Sequence, residues 1–213
     1  MLFRSLVDQH ADRPVDPRRR VAHQQLQNPD VMPVAGARAQ LERILHICRR
    51  ADDKTLELRC LIYLSCTHLR QHDVDAVKEL ARQGEELARA LSFPEYVGMG
   101  RAMLSWVAWK EGRFVDAEAM AEEALEQWGA SVVNFSWYWV CLWPLIAVRL
   151  ASRQVAEAVE AGRQLLAPPQ QRLPDELVSM VQAAITAWED EELQLAEEKL
   201  GQSVELAERL RYA

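Results

Sequence analysis

The sequence predicts an all-α chain of tandem helix–turn–helix units stacked into a right-handed α-solenoid. Three observations predict it. Glycine and proline are scarce, at 8 and 9 of 213 residues, whereas β-rich folds need turn residues throughout. Apolar residues recur at spacings of three and four from residue 35 onward, which marks one face of a helix. A small alanine also returns at Ala76, Ala117, Ala158 and Ala196, separated by 41, 41 and 38 residues. A regular period near 40 is the mark of a helical repeat array.

Residues 1–34 read as a disordered leader: Pro14, Pro17, Pro29 and Pro33 punctuate them and apolar periodicity is weak. Leu2-Phe3-Arg4-Ser5 is also what a common sequencing-adapter fragment encodes, so the first five residues read as non-native and the chain as a piece of a longer protein. The repeat domain then spans 35–213. A first helix over 35–50 places Leu41, Ile44, Leu45 and Cys48 on one face. Asp52-Asp53 breaks it and caps the next helix, over 55–70. A turn at 71–73 leads to a helix over 75–91, and Pro94 opens the following one, which runs to Glu111. Gly112-Arg113 turns the chain into a helix over 114–128. Helices over 135–151 and 155–166 flank a turn at Ser152-Arg153, and Pro168-Pro169 ends the second, because proline cannot continue the backbone ladder. Pro174 starts a helix to Trp188; an acidic turn over 189–192 precedes the last, 193–211.

The alanine column brings others with it. Eight positions earlier stand His68, Trp109, Leu150 and Trp188; thirteen earlier, Tyr63, Leu104, Leu145 and Ala183; three earlier, Asp73, Phe114, Val155 and Leu193. Mostly large apolar residues hold fixed places, and alanine recurs where two helices must approach closely.

The segment 100–125 resembles a tetratricopeptide-type repeat. The resemblance rests on Leu104, Ala108, Gly112, Ala117, Ala121 and Ala124, with Ser105 at the usual small position and Ala108 where tyrosine is usual. The period exceeds the standard 34 residues. Longer repeats of this kind resemble the C-terminal arrays of large bacterial signalling ATPases, including maltose-activator type regulators and ATPases fused to nucleotide-cyclase domains. The run 142–148 and the proline-flanked stretch 168–174 are similar to the tails of such proteins. The resemblance covers about residues 55–213. It implies a cytoplasmic sensor or scaffold segment whose ATPase, cyclase or DNA-binding modules lie elsewhere.

Composition narrows the function further. The net charge is −7 and the pI about 5.3, which argues against a nucleic-acid partner, since phosphate binding needs a concentrated positive surface. Cys48, Cys60, Cys66 and Cys141 form no CxxC pair, so a reducing compartment is expected. The longest apolar run, 132–148, is interrupted by Asn134, Ser136 and Pro144 and reads as a central buried helix rather than a membrane span. No phosphate loop, nucleophile elbow or HExxH motif occurs, and neither a cofactor nor a catalytic residue is expected. His68 and His72 stand four apart but lack an obvious third ligand, so no metal is expected. The run Glu189-Asp190-Glu191-Glu192 reads as a solvated turn.

The tryptophans are the candidate binding residues. Trp106, Trp137, Trp139 and Trp143 fall on first helices, which the resemblance places on the concave face of the array. Trp139 and Trp143, four apart, share one helical face. An aromatic groove there suits a peptide helix or a small effector; the same rings could instead fill the core between repeats. The expected function is a non-catalytic binding scaffold, with a free-standing peptide adaptor and a helical enzyme as the other readings.

Overall fold

The computed structural model describes residues 34–129, 136–168 and 170–213. They form nine helices and, among the described residues, no strand: α1 (Val34–Arg50), α2 (Lys54–Leu69), α3 (Val74–Ala90), α4 (Pro94–Lys110), α5 (Phe114–Gly129), α6 (Trp139–Ala151), α7 (Val155–Leu165), α8 (Asp175–Glu189) and α9 (Leu193–Arg209). The expected leader lies outside the described residues save Val34, which opens α1. The helix expected from residue 135 begins instead at Trp139. The backbone N–H of Tyr138 donates to the Gln170 side chain (3.0 Å) ahead of that first turn. α6 runs through Pro144 as one helix.

One turn geometry recurs along the chain. Asp52, His72, Ser92, Gly112, Arg153, Glu191 and Arg211 all have φ between 53° and 75°, the left-handed conformation that ends helices. After each, the next N–H donates back to a carbonyl five residues earlier, from Asp53 to Cys48, Asp73 to His68, Phe93 to Ala88, Arg113 to Ala108, Gln154 to Arg149, Glu192 to Ala187 and Tyr212 to Ala207, at 2.8–3.1 Å. These bonds satisfy carbonyls that a helix end would otherwise leave open. In all but the last, the next helix begins one residue after that donor, so these connections need only a few residues. Asp53 and Asp73 add side-chain caps, accepting from the Leu56 and Ala76 N–H groups, each worth about 1 kcal/mol.

This geometry corrects the alanine column by one residue at its first member. The N–H of Val77, Ala117, Ala158 and Ala196 donates to the first helix-capping carbonyl in α3, α5, α7 and α9 respectively. Val77, not Ala76, therefore shares the place of the later alanines. Val77, Ala117, Ala158 and Ala196 are all fully buried, whereas Ala76 is partly exposed. Serine hydroxyls confirm the alignment: Ser65 donates to the Val77 carbonyl and Ser105 to the Ala117 carbonyl, each across twelve residues.

Neighbouring helices pack antiparallel from α1 to α9, and α2 also packs on α4 and α4 on α6. α3 and α5 have at most marginal contact. Close crossings depend on small residues. A Cβ on Gly84 would stand 2.9 Å from Ile62, and one on Gly100 2.8 Å from Glu85. One apolar core runs from α2 through α9, with Leu58, Met103, Trp106, Trp128, Leu142, Trp143, Leu177 and Leu200 among its members. α1 and α2 enclose a smaller cluster around Ile44, Cys48, Cys60 and Leu64. Residues 140–146 are buried without exception, as the central-helix reading of that run expects. No helix among the described residues is long and apolar enough to cross a membrane.

Candidate binding face

α4, α6 and the residues just before α6 carry the aromatic side chains that the sequence singled out. Trp106 on α4 and Trp143 on α6 are 0% exposed, and Trp139 at the start of α6 is 4% exposed. Trp137, just before α6, is half-buried, with its ring 5.6 Å from that of Tyr63 on α2. The structure thus brings three of the four rings into the core and leaves Trp137 at its edge. Trp109 and Trp188 are half-buried. Trp128, which was not singled out, is 2% exposed; its Nε1 donates to the Glu95 carbonyl at 3.0 Å and its ring stacks on Tyr138 at 4.9 Å.

α9 packs beside α6. Its N-terminal end is tied to the turn after α6 by the Arg153–Glu197 ion pair. At the other end Tyr212 meets the ring of Trp139 edge-on at 5.4 Å. α9 therefore runs antiparallel to α6; it packs chiefly on α8 and also on α6 and α7. Its last turn also reaches the C-terminal ends of α2 and α4. The Arg70 guanidinium lies over the Tyr212 ring at 4.7 Å and over Trp139 at 5.6 Å. The Lys110 ammonium bonds the Glu208 carboxylate and sits 3.7 Å from the Trp109 ring centroid, an arrangement that favours a cation over an aromatic face.

The electrostatics at this junction follow from burial. Desolvation lowers the pKa of Lys110, opposed by the bond to Glu208. His72 faces Trp106 edge-on, with centroids 6.2 Å apart. Its pKa is lowered by burial, then by the positive charges of Arg211 and Lys110, with Glu208 opposing. Nε1 of Trp106, Nε1 of Trp143 and Nε2 of His72 are buried and have no hydrogen-bond partner among the described residues. Sequence reading placed the rings but missed Arg70, Lys110, Glu208 and Tyr212. Lys110 follows Trp109 directly and stands four residues after Trp106; that adjacency is the only local signal for it.

A concavity lies between α3 and α5, floored by α4, with a volume of about 360 Å³. Lys78, Arg82, Arg89, Arg101 and Arg113 line it beside Glu85 and Glu86, over Leu104, Val107 and Met120. The cations are matched within the fold: Lys78 with Glu111, Arg82 with Glu86, Arg89 with Glu85, Arg101 with Glu85 and Glu123, and Arg113 with Glu111 and Asp116. A self-neutralised wall of this kind gives an anion little field to follow.

The remaining polar candidates are structural. His68 Nδ1 pairs with Asp73 Oδ2 at 3.0 Å, tying the α2–α3 turn together. No group of metal-ligating residues occurs among the described residues. Glu189 pairs with Arg163, and Glu191 takes the left-handed turn position. Burial pushes the Cys66 thiol up to about 12, away from nucleophilic use.

Neither family models, curated proteins nor solved structures give a match to this chain.

Proposed function

We propose that the chain is a tetratricopeptide-like array: a right-handed α-solenoid with a repeat near 40 residues, acting as a non-catalytic scaffold that binds a protein partner or an effector in the cytoplasm. Its place is the sensor or regulatory repeat segment of a larger bacterial signal-transduction ATPase or transcriptional regulator. The supporting observation is the repeated turn. Asp52, His72, Ser92 and Gly112 stand twenty residues apart, so a helix pair advances by forty. The Ser65–Val77 and Ser105–Ala117 bonds repeat at the same interval. Units that cannot bury their own apolar faces stack to do so, and the stack offers an extended surface for recognition. The role in a signalling protein rests on the long repeat period and on the resemblance of the stretches 142–148 and 168–174 to the tails of such ATPases.

The reading frame on both sides of this segment tests the proposal. A glycine-rich phosphate loop followed by a helix upstream supports a signalling ATPase. A start codon with no further module would sink that assignment and leave a peptide adaptor. The binding role is tested separately by thermal denaturation against a panel of nucleotides, sugars and peptides. A true ligand at about a hundred times its Kd stabilises by about 2.7 kcal/mol, and no shift with any of them counts against an effector.

A further inference from the structure

We infer that the row Arg59, Tyr63, Cys66 and Arg70 along α2 recognises an acidic peptide segment, with a side-chain carboxylate held by each arginine and an apolar stretch between. The inference rests on the reading of the chain as a binding scaffold and names the chemistry of what it binds. The four positions follow at spacings of four, three and four, so they lie along one side of the helix. Arg70 caps α2 in the right-handed helical conformation and stays in line with the rest. All four are half-buried. Eleven residues separate the arginines, about 16 Å along a helix.

These two arginines differ from the others that are half-buried. Arg38, Arg101, Arg149 and Arg163 each have a carboxylate oxygen at 2.9–3.0 Å. Arg59 and Arg70 have none among the described residues. A guanidinium taken partly out of water is costly without an anion beside it. Arg59 gives one N–H to the Tyr96 hydroxyl, yet its Nε is buried with no partner among the described residues. The Arg70 guanidinium lies over the rings of Tyr212 and Trp139 at 4.7 and 5.6 Å. Those rings steady the cation but supply no carboxylate, so its planar fork of donors is left for one. Between the arginines, Tyr63 has the Trp137 ring at 5.6 Å, and the Cys66 thiol, pushed up by burial, stays uncharged. The row is therefore cationic at both ends and apolar in the middle. The cations lining the concavity between α3 and α5 are all matched, so that wall lacks this feature. Two unmatched cations in a chain of net charge −7 suit a partner with a few carboxylates, whereas nucleic acid needs a broad positive surface.

Fluorescence anisotropy of the full chain with a labelled synthetic probe tests the site. The probe is a peptide of about a dozen residues with two glutamates at each end and an alanine–leucine centre, long enough to span the row even as a helix. Its C-terminus is amidated, so only side-chain carboxylates count. Binding should weaken as salt rises. Arg59→Gln together with Arg70→Gln should weaken it at least about tenfold. Arg82→Gln with Arg89→Gln, in the matched wall, should change it by less than about twofold. No binding, equal binding of the same peptide with lysines for glutamates, or an unchanged affinity in the first double variant would overturn the inference. So would a loss confined to the second double variant, or tighter binding of a single-stranded oligonucleotide. A ligand from the wider panel that stabilises the chain equally with and without the two arginines would keep the scaffold reading and remove this site. Should the first double variant fail to fold, Arg59→Lys and Arg70→Lys decide singly: each keeps the charge but loses the fork and should weaken the probe about threefold or more. Unchanged affinity in both would likewise overturn the inference.

Discussion

The two ends of the molecule use the same turn to different effect. From α1 to α5 the left-handed residues stand twenty apart and each helix begins two residues later. Helices then fall into place by repetition: α2 packs on α4, and small residues set the crossings. From α6 onward the rhythm changes. α7 and α8 are joined across residues 166–174, and the loop bonds back, with the Gln171 N–H on the Ser136 carbonyl and the Gln171 side chain accepting from Trp139 Nε1. That longer connection lets the α8–α9 hairpin swing so that α9, rather than α8, meets α6. A uniform turn propagates a stack; one long connector redirects it.

The largest test of this contrast is at the seam. Trp143 belongs to α6, where the two ends meet, and is fully buried. Trp143→Ala should cost about 3–5 kcal/mol, read by urea denaturation. A loss of under about 1 kcal/mol would mean that the ring is not packed as described. The shape of the transition matters too. One transition in the variant means that the ends fold together through their shared core; two would show them separable.

Packing at glycines separates the ends further. A Cβ on Gly98 would stand 2.6 Å from Nε1 and 2.9 Å from Cδ1 of Trp128, an indole held by Glu95 and Tyr138. Gly98→Ala should therefore destabilise by roughly 1–3 kcal/mol through overpacking. Gly201, within α9, has nothing within 4 Å of its Cβ site. Gly201→Ala should stabilise by roughly 0.5–1 kcal/mol through helix propensity alone. If both substitutions destabilise equally, α9 is packed as tightly as α4 and the contrast fails.

These positions also show how far the fold was legible in the sequence. Helical class and most boundaries could be read, because scarce glycine, three–four periodicity and capping aspartates are local signals. The register of the first alanine could not. It is set by the left-handed turn residue, and six of the seven that adopt this conformation are not glycine, so nothing in the chain announces them. That is why Ala76 was aligned where Val77 sits. Trp106, Trp139 and Trp143 read correctly as helical residues, whereas Trp137 falls just before α6; the contact of Tyr212 with Trp139 was invisible, since it depends, like Lys110–Glu208, on residues far apart in sequence.

The turns themselves give the next test. Gly112 has φ +75°, so Gly112→Ala should cost about 1 kcal/mol, while Ser92→Gly, at φ 58°, should be neutral or stabilising by a similar amount, about 1 kcal/mol. Thermal melts of the two variants compare directly. A stabilised Gly112→Ala chain would show that the turn relaxes out of the left-handed region.

The smallest effect is expected with pH, and it belongs to the α9 end. His72 is held below its ordinary value of 6.5 by burial and by Arg211 and Lys110, with Glu208 as the opposing charge. As pH falls through the ordinary value, the unfolded chain takes a proton that the folded form refuses. The stabilisation is thus complete above that value and declines as pH drops through it toward the lowered pKa of the folded form. Melting temperature should fall between about pH 7.5 and about pH 5.5, and His72→Gln should remove that part of the fall. Carboxylates whose pKa values are lowered in the fold, such as Glu57 and Glu111, lose their contribution only at more acidic pH, so the window isolates the histidine. A fall of the same size in the His72→Gln variant would place the proton's effect on other groups.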